Sequence, residues 1–241
     1  SSPHNRCQHC TVRSAALCGE AGETAIAELA KIVHRTRVPE GRIIYGGHQR
    51  SKTFAIIISG VVKLVNGRPD GRQQIVGLQF AADFVGRPFT ESLQLYAEAA
   101  TDLELCTFSG RAFEELLRQY PNLERAMFKA VVKDLDAARE WMFMLGRKSA
   151  EEKVASFLAF LSDRMSSPDA AATKAGGKKG LRLPLSRTEI AECLGLRLET
   201  VSRQFAVLRE QGIVETSGRR FFCVRDMGGL RDCSESSVGS A

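Results

Sequence analysis

The sequence predicts an α+β chain: a jelly-roll-like β domain, a long amphipathic helix and a C-terminal winged helix-turn-helix. Three observations predict it. Short β-branched runs separated by turn residues crowd the stretch from Ile56 to Phe108. Apolar residues recur at three- and four-residue steps from Asn122 to Leu145. A capped helix, a glycine turn and a polar-faced helix follow one another from Ser186 to Arg203.

The elements follow in order. Residues 1–20 form a Cys-rich arm, and residues 21–120 read as short helices flanking the β domain. Ile56 to Val65 is a β-branched run with a central glycine. The turn Asn66 to Gly71 joins it to Gln73–Leu78, a hairpin pattern. Further strands are expected at Tyr96–Ala100 and Leu103–Phe108. A short helix over Arg111–Gln119 stops at Pro121.

Residues 121–146 form the long helix, whose Met127, Val131, Leu135, Ala138, Met142 and Leu145 make an apolar stripe. Such a stripe faces either its own core or a partner helix, and the length favours a dimer seam. Asp134, Asp136 and Glu140 lie near that expected seam.

Residues 147–230 hold the helix-turn-helix region, and residues 231–241 a tail. A helix is expected over Ala150–Met165. Ser166–Lys179, rich in Ser, Ala, Gly and Lys, reads as an exposed loop, and Leu181–Leu185 as a short strand. Ser186 and Glu189 have capping-box spacing, and Gly195 supplies the turn that follows. Glu199, Ser202 and Arg203 then share one face of the next helix. Arginine forks onto the O6 and N7 edge of guanine, glutamate accepts from cytosine N4, and serine reaches base or phosphate. Arg197 and Thr200 flank them as further contacts. Ile213–Val224 reads as a hairpin wing, with Arg219 and Arg220 at its tip facing either phosphate or solvent.

Composition agrees. The apolar share is 44%, enough for a packed core. The formal charge is +6, and residues 174–225 alone hold eleven Lys or Arg against five Glu. A basic surface therefore coincides with the helix-turn-helix, as phosphate binding requires. No run of eighteen apolar residues occurs, and the first six residues are too polar for a signal peptide, so a cytoplasmic chain without membrane partners is expected. No G-x-S-x-G or phosphate loop is present, and the four histidines form no motif with carboxylates, which argues against an enzyme.

Seven cysteines are an odd count, and Cys7, Cys10 and Cys18 fall within twelve residues. In a reducing compartment that cluster points to metal or cluster ligation. On spacing alone zinc is the commoner answer, with His4 or His9 as possible nitrogen ligands.

The order of β domain, long helix and winged helix-turn-helix, with Leu198-Glu199-Thr200-Val201-Ser202-Arg203, resembles the CRP/FNR superfamily of bacterial transcription regulators. The resemblance covers about residues 20–225. It implies a β-roll sensor domain, a homodimer, palindromic double-stranded DNA and contact with RNA polymerase, for which the turn Asn66–Arg72 is the expected surface. The Glu, Ser and Arg spacing resembles the FNR branch, whose half-site is TTGAT. Cyclic-nucleotide members carry a Gly-Glu pair and an Arg-Ser or Arg-Thr pair. Here Val85-Gly86-Arg87-Pro88 has no Glu and Leu93-Gln94-Leu95-Tyr96-Ala97 no Arg, so no cyclic nucleotide is expected.

The C-x2-C-x7-C arm resembles the alphaproteobacterial part of that branch, and Cys106, fifteen residues before Pro121, resembles its internal ligand. The resemblance implies a [4Fe-4S] cluster on Cys7, Cys10, Cys18 and Cys106, an oxygen sensor active as an anaerobic dimer. Two other readings remain: a cluster-free member of the family, constitutive or thiol-responsive, and a zinc-stabilised DNA-binding module. Cys193, Cys223 and Cys233 receive no ligand role.

Overall fold

The computed structural model describes residues 7–46, 53–67, 73–90, 95–165, 173–175, 178–218 and 220–235. The chain divides into two compact units, residues 1–137 and 138–241.

The first unit is built on two four-stranded antiparallel sheets. After helix α1 (Glu23–Ile32) come β1 (His34–Val38), β2 (Ile43–Tyr45), β3 (Thr53–Ser59), β4 (Val62–Gly67), β5 (Gln73–Gln79), β6 (Phe84–Val85), β7 (Leu95–Ala99) and β8 (Leu103–Ser109). Helix α2 (Gly110–Gln119) follows. The sheets have strand orders β1-β8-β3-β6 and β2-β7-β4-β5. Only the second half of the expected hairpin run forms it: β4 pairs with β5, Asn66 opposite Gln74, while Ile56–Ser59 belongs to β3 in the other sheet. Residues 68–72 of the turn between them lie outside the described residues.

The unbroken apolar run in β3 has a packing cause. Ala55 and Ile57 face the second sheet with Val62, Ala97 and Leu105. Phe54 and Ile56, on the opposite face, pack with Leu29 of α1, Phe113 and Leu117 of α2, Phe84 and Phe108. The sheet is covered on both sides, so alternation vanishes from the sequence. Phe113 anchors the second layer, its ring centroid 4.7 Å from Phe108 and 5.3 Å from Phe84. In β8 the same alternation turns Leu103 and Leu105 to the sheet interface and Cys106 and Phe108 to the helical side.

The arm does not stay outside this core. Ala16 and Leu17 are buried in it, and Cys7, Val12 and Cys18 pack against it. Ala16 and Leu17 thus supply the apolar surface that docks the arm, while Ala15 stays exposed.

Helix α3 (Pro121–Arg147) opens on proline, whose missing N–H costs nothing at a first helical position. Leu123 and Ala126 anchor its start in the core. Every residue from Val131 to Glu140 is exposed. The apolar ones, with Phe128, Met142 and Phe143, make a stripe in which Phe128 is 68% and Met142 63% exposed. The stripe is rotated from the one expected. Met127 packs against its own core and Leu145 is half-buried, while Phe128, Val132 and Phe143 join Val131, Leu135, Ala138 and Met142 outside.

The second unit contains α4 (Ala150–Met165), β9 (Thr173–Ala175), β10 (Lys178–Arg182), α5 (Arg187–Leu194), α6 (Leu198–Glu210), β11 (Val214–Ser217), β12 (Phe221–Val224) and α7 (Met227–Glu235). Two expectations are corrected. The segment 166–179 is not all loop: Thr173–Ala175 pairs antiparallel with Lys178–Gly180. Residues 231–235 of the expected tail belong to α7, which buries Leu230 completely, and 236–241 lie outside the described residues. Lys148 holds that helix, donating to the Ser156 hydroxyl and the Ser234 carbonyl, both at 2.8 Å. Among the described residues no helix is long and apolar enough to cross a membrane.

Candidate functional site

The helix-turn-helix is assembled by local chemistry. Ser186 caps α5, its hydroxyl accepting from the Glu189 N–H at 3.3 Å while Glu189 Oε2 accepts from the Ser186 N–H at 2.8 Å. Gly195 ends α5 at φ 62 and ψ 37, a left-handed conformation that costs an L side chain strain. Helix α6 then buries Val201, Phe205 and Leu208 on one side. Glu199, Ser202 and Arg203 are exposed on the other, with Arg197 exposed at the cap and Thr200 half-buried beside them.

Arg187 is a contributor that the sequence concealed. Its guanidinium lies 3.0 Å from the centroid of the Phe205 ring, joining the first residue of α5 to the buried side of α6. Burial pulls it down to about 10, and its Nη1 is enclosed with no hydrogen-bond partner among the described residues. Nothing in the spacing of Arg187 and Phe205 announces the stack.

The wing is β11 with β12, turned at Gly218. Arg220 is half-buried, and its carbonyl accepts from the Leu183 N–H at 2.6 Å, tying the wing to the strand before α5. Arg219 lies outside the described residues.

The second site is in the first unit. Cys7, Cys10, Cys18 and Cys106 line one cavity with Val12, Arg13, Ala16, Ile26, Leu29, Val33 and Ile56. Cys106 is placed by β8, opposite Arg35 of β1 and Ile56 of β3. The other three are placed by arm turns, in which the Arg13 N–H donates to the Cys10 carbonyl at 3.1 Å and the Ala16 N–H to the Val12 carbonyl at 2.9 Å. Burial pushes the Cys18 thiol up to about 12, helped by the Cys106, Cys7 and Cys10 sulfurs and opposed by Arg13. Sulfurs that feel one another this way are neighbours in space, although 88 residues separate Cys18 from Cys106.

Among the described residues no three His, Cys, Asp or Glu side chains close on a point the size of one metal ion. The thiols are arranged round a space instead. A tetrahedral zinc site with its sulfurs at about 2.3 Å would bring them within about 4 Å of each other. Four soft donors in an apolar wall without a lining carboxylate suit an iron–sulfur group, and binding one requires the thiols to release their protons. Cys193 is fully buried in the helix-turn-helix, and Cys223 and Cys233 are half-buried in the second unit, outside this wall.

A cleft joins the arm to α3. Ala15 to Leu17 and Glu20 form one wall, Ala82 to Phe84 the floor, and Ala126, Lys129, Ala130, Lys133 and Asp134 of α3 the other wall. Asp134 therefore lies on the arm side of the helix and not on the exposed stripe.

The comparisons with known proteins agree with these parts. A model of the Crp-like helix-turn-helix domain matches residues 152–233, and one of the cyclic nucleotide-binding domain matches residues 35–120. A probable transcriptional activator of Rhizobium leguminosarum bv. viciae is 43% identical over 221 residues, 92% of this chain and 90% of that one. The transcriptional activator protein FnrL of Cereibacter sphaeroides is 36% identical, over 94% of this chain and 90% of its own. The structure of FixK2 from Bradyrhizobium japonicum aligns with a TM-score of 0.75 at 28% identity, covering 87% of this chain and 100% of that one. With its β-roll, its helix-turn-helix and relatives of this kind, the chain belongs to the CRP/FNR family and is a DNA-binding transcriptional activator, not an enzyme.

Proposed function

We propose that this activator is oxygen-responsive and works as a homodimer on TTGAT-type palindromes, with Cys7, Cys10, Cys18 and Cys106 holding a [4Fe-4S] cluster. The observation that carries the reading is the shared cavity of four cysteines, one from the sheet and three from the arm. When bound, the cluster supplies sensitivity to oxygen. The chain's own residues do the rest. The three arm cysteines and Cys106 fix the arm on β8. The docked arm meets α3 through the cleft, where Glu20 pairs with Lys129 and Asp83 with Lys133.

On its other side α3 presents Phe128, Val131, Val132, Leu135, Met142 and Phe143, an apolar stripe that a second copy covers. Pairing sets two α6 helices about one DNA turn apart and makes the second half-site contact intramolecular, so affinity rises steeply with dimerisation. Arg203, Glu199 and Ser202 read base edges, while Arg197, Thr200 and the wing arginines position the backbone. RNA polymerase is the further partner of an activator. The β-roll matches the cyclic nucleotide-binding domain, but Val85-Gly86-Arg87-Pro88 lacks the Gly-Glu pair that nucleotide-binding members carry.

Purification without oxygen tests the reading. Iron and acid-labile sulfide with broad absorption near 400 nm, lost in Cys106→Ser together with anaerobic activation, support it. A colourless zinc protein that binds the palindrome as a tight dimer overturns it.

A further inference from the structure

The wall of the cysteine cavity contains one charged residue, Arg13, midway along the arm between Cys10 and Cys18. Its side chain is 25% exposed. Its ion-pair partner Glu23, at the start of α1, is 77% exposed. The two ends of this pair therefore stand in different media. The carboxylate is largely screened by water, whereas the Arg13 side chain is mostly enclosed and borders an apolar chamber where charge acts over a longer distance. Arg35 offers a contrast. It borders an adjoining cavity shared by Cys7, Cys10 and Cys106, but it pairs with Glu104 at 2.8 Å and both partners are about one-third exposed. The two partners of that pair are alike in exposure, whereas Arg13 is the more enclosed cation and its counter-charge stands in water.

Four thiolates bring more negative charge than an iron–sulfur core neutralises, and burying the excess is costly unless a cation stands nearby. We infer that Arg13 is the charge-compensating residue of the chamber: its guanidinium stabilises the anionic, thiolate-bound group and slows its loss. The inference rests on the iron–sulfur reading above and adds a residue that holds the group without ligating it. A mechanical role is the competing explanation, in which the Arg13–Glu23 pair only straps the arm to α1. The two roles differ in what removal of Glu23 does. A strap fails whichever partner is removed. A compensating cation fails only when the cation is removed, and it acts more strongly once its counter-charge has gone.

The experiment uses the full chain reconstituted anaerobically with ferrous iron and sulfide. The loss of absorption near 400 nm is followed after a ferrous chelator is added under nitrogen. Thermal unfolding of the metal-free proteins runs alongside to report on the fold. Arg13→Gln is expected to lose the group about tenfold faster, the size of one partly screened charge interaction, while Arg13→Lys stays within about twofold of the parent. Glu23→Gln is expected to lose it no faster than the parent. Equal rates for parent and Arg13→Gln overturn this inference and leave the iron–sulfur reading standing. Acceleration by Glu23→Gln matching that of Arg13→Gln makes the pair a strap and also overturns it. If the parent takes up no iron and sulfide, both readings fall together.

Discussion

Lys129 of α3 pairs with Glu20, two residues beyond Cys18. Lys133, one turn further on, reaches Asp83 at 3.4 Å. Both lysines lie on the arm side of α3, whereas Phe128, Val131 and Leu135 face outward. The helix therefore has one side against the arm and another that is exposed and apolar. Glu20 and Lys129 are each more than half exposed, so their pair is worth under about 1 kcal/mol and guides the arm more than it holds it.

Leu135→Glu should weaken dimerisation at least tenfold and leave the protomer's unfolding free energy within about 0.5 kcal/mol, because Leu135 is 47% exposed in the single chain. Sedimentation of the anaerobic protein measures the first and chemical denaturation the second. A dimer of unchanged affinity places the seam elsewhere.

Arg203→Ala should cost about 1–3 kcal/mol of DNA affinity and relax the choice of base at the guanine position. Fluorescence anisotropy on a TTGAT palindrome and its guanine-substituted versions gives both numbers. A uniform loss across all sites would make Arg203 a phosphate contact instead.

Gly19→Ala should dislodge the arm. A Cβ there would stand 2.7 Å from the Ser14 carbonyl oxygen and 3.1 Å from that of Arg13, and backbone atoms cannot swing aside. Proteolysis of the metal-free protein should cut the arm of the variant faster than that of the parent. Equal cutting would mean that the turn opens without consequence.

The metal-free protein should lose stability in alkali. Cys18 releases its proton near its ordinary 9.0 when unfolded and near 12 when folded. The fold thus keeps the proton that the unfolded chain gives up. The associated stability is complete below about pH 9 and is lost as pH rises toward 12. Cys193, also pushed up by burial, acts in the same direction. Unfolding midpoints over this range should fall less in Cys18→Ala than in the parent. Parallel curves would show that Cys18 is not buried in solution.

The parts most legible in the sequence are those written in local chemistry. Ser186, Glu189 and Gly195 announce a cap, a box and a stop within ten residues, and Glu199, Ser202 and Arg203 follow by helical phase alone. Of the stripe expected on α3, Val131, Leu135, Ala138 and Met142 are exposed, and only Met127 and Leu145 turn inward. Met127 and Leu145 satisfy the same periodicity as Phe128 and Phe143, and only the core around Leu123 decides which row turns inward. The strand pair within Thr173–Gly180 has no signal in the sequence because its partners are backbone groups carried by loop-like residues. Helix α7 was hidden by Gly228 and Gly229, poor helix formers, and is held by the burial of Leu230. At the cysteines, spacing named three thiols, while the place of Arg13 in their wall depended on tertiary structure.

The grip of Lys148 on the Ser234 carbonyl has a practical outcome. A chain cut back to the wing would bare the apolar side of α4 on which Leu230 rests, and such a truncation should aggregate. Affinity tags and fluorescent fusions belong after Glu235, where they leave that clasp intact.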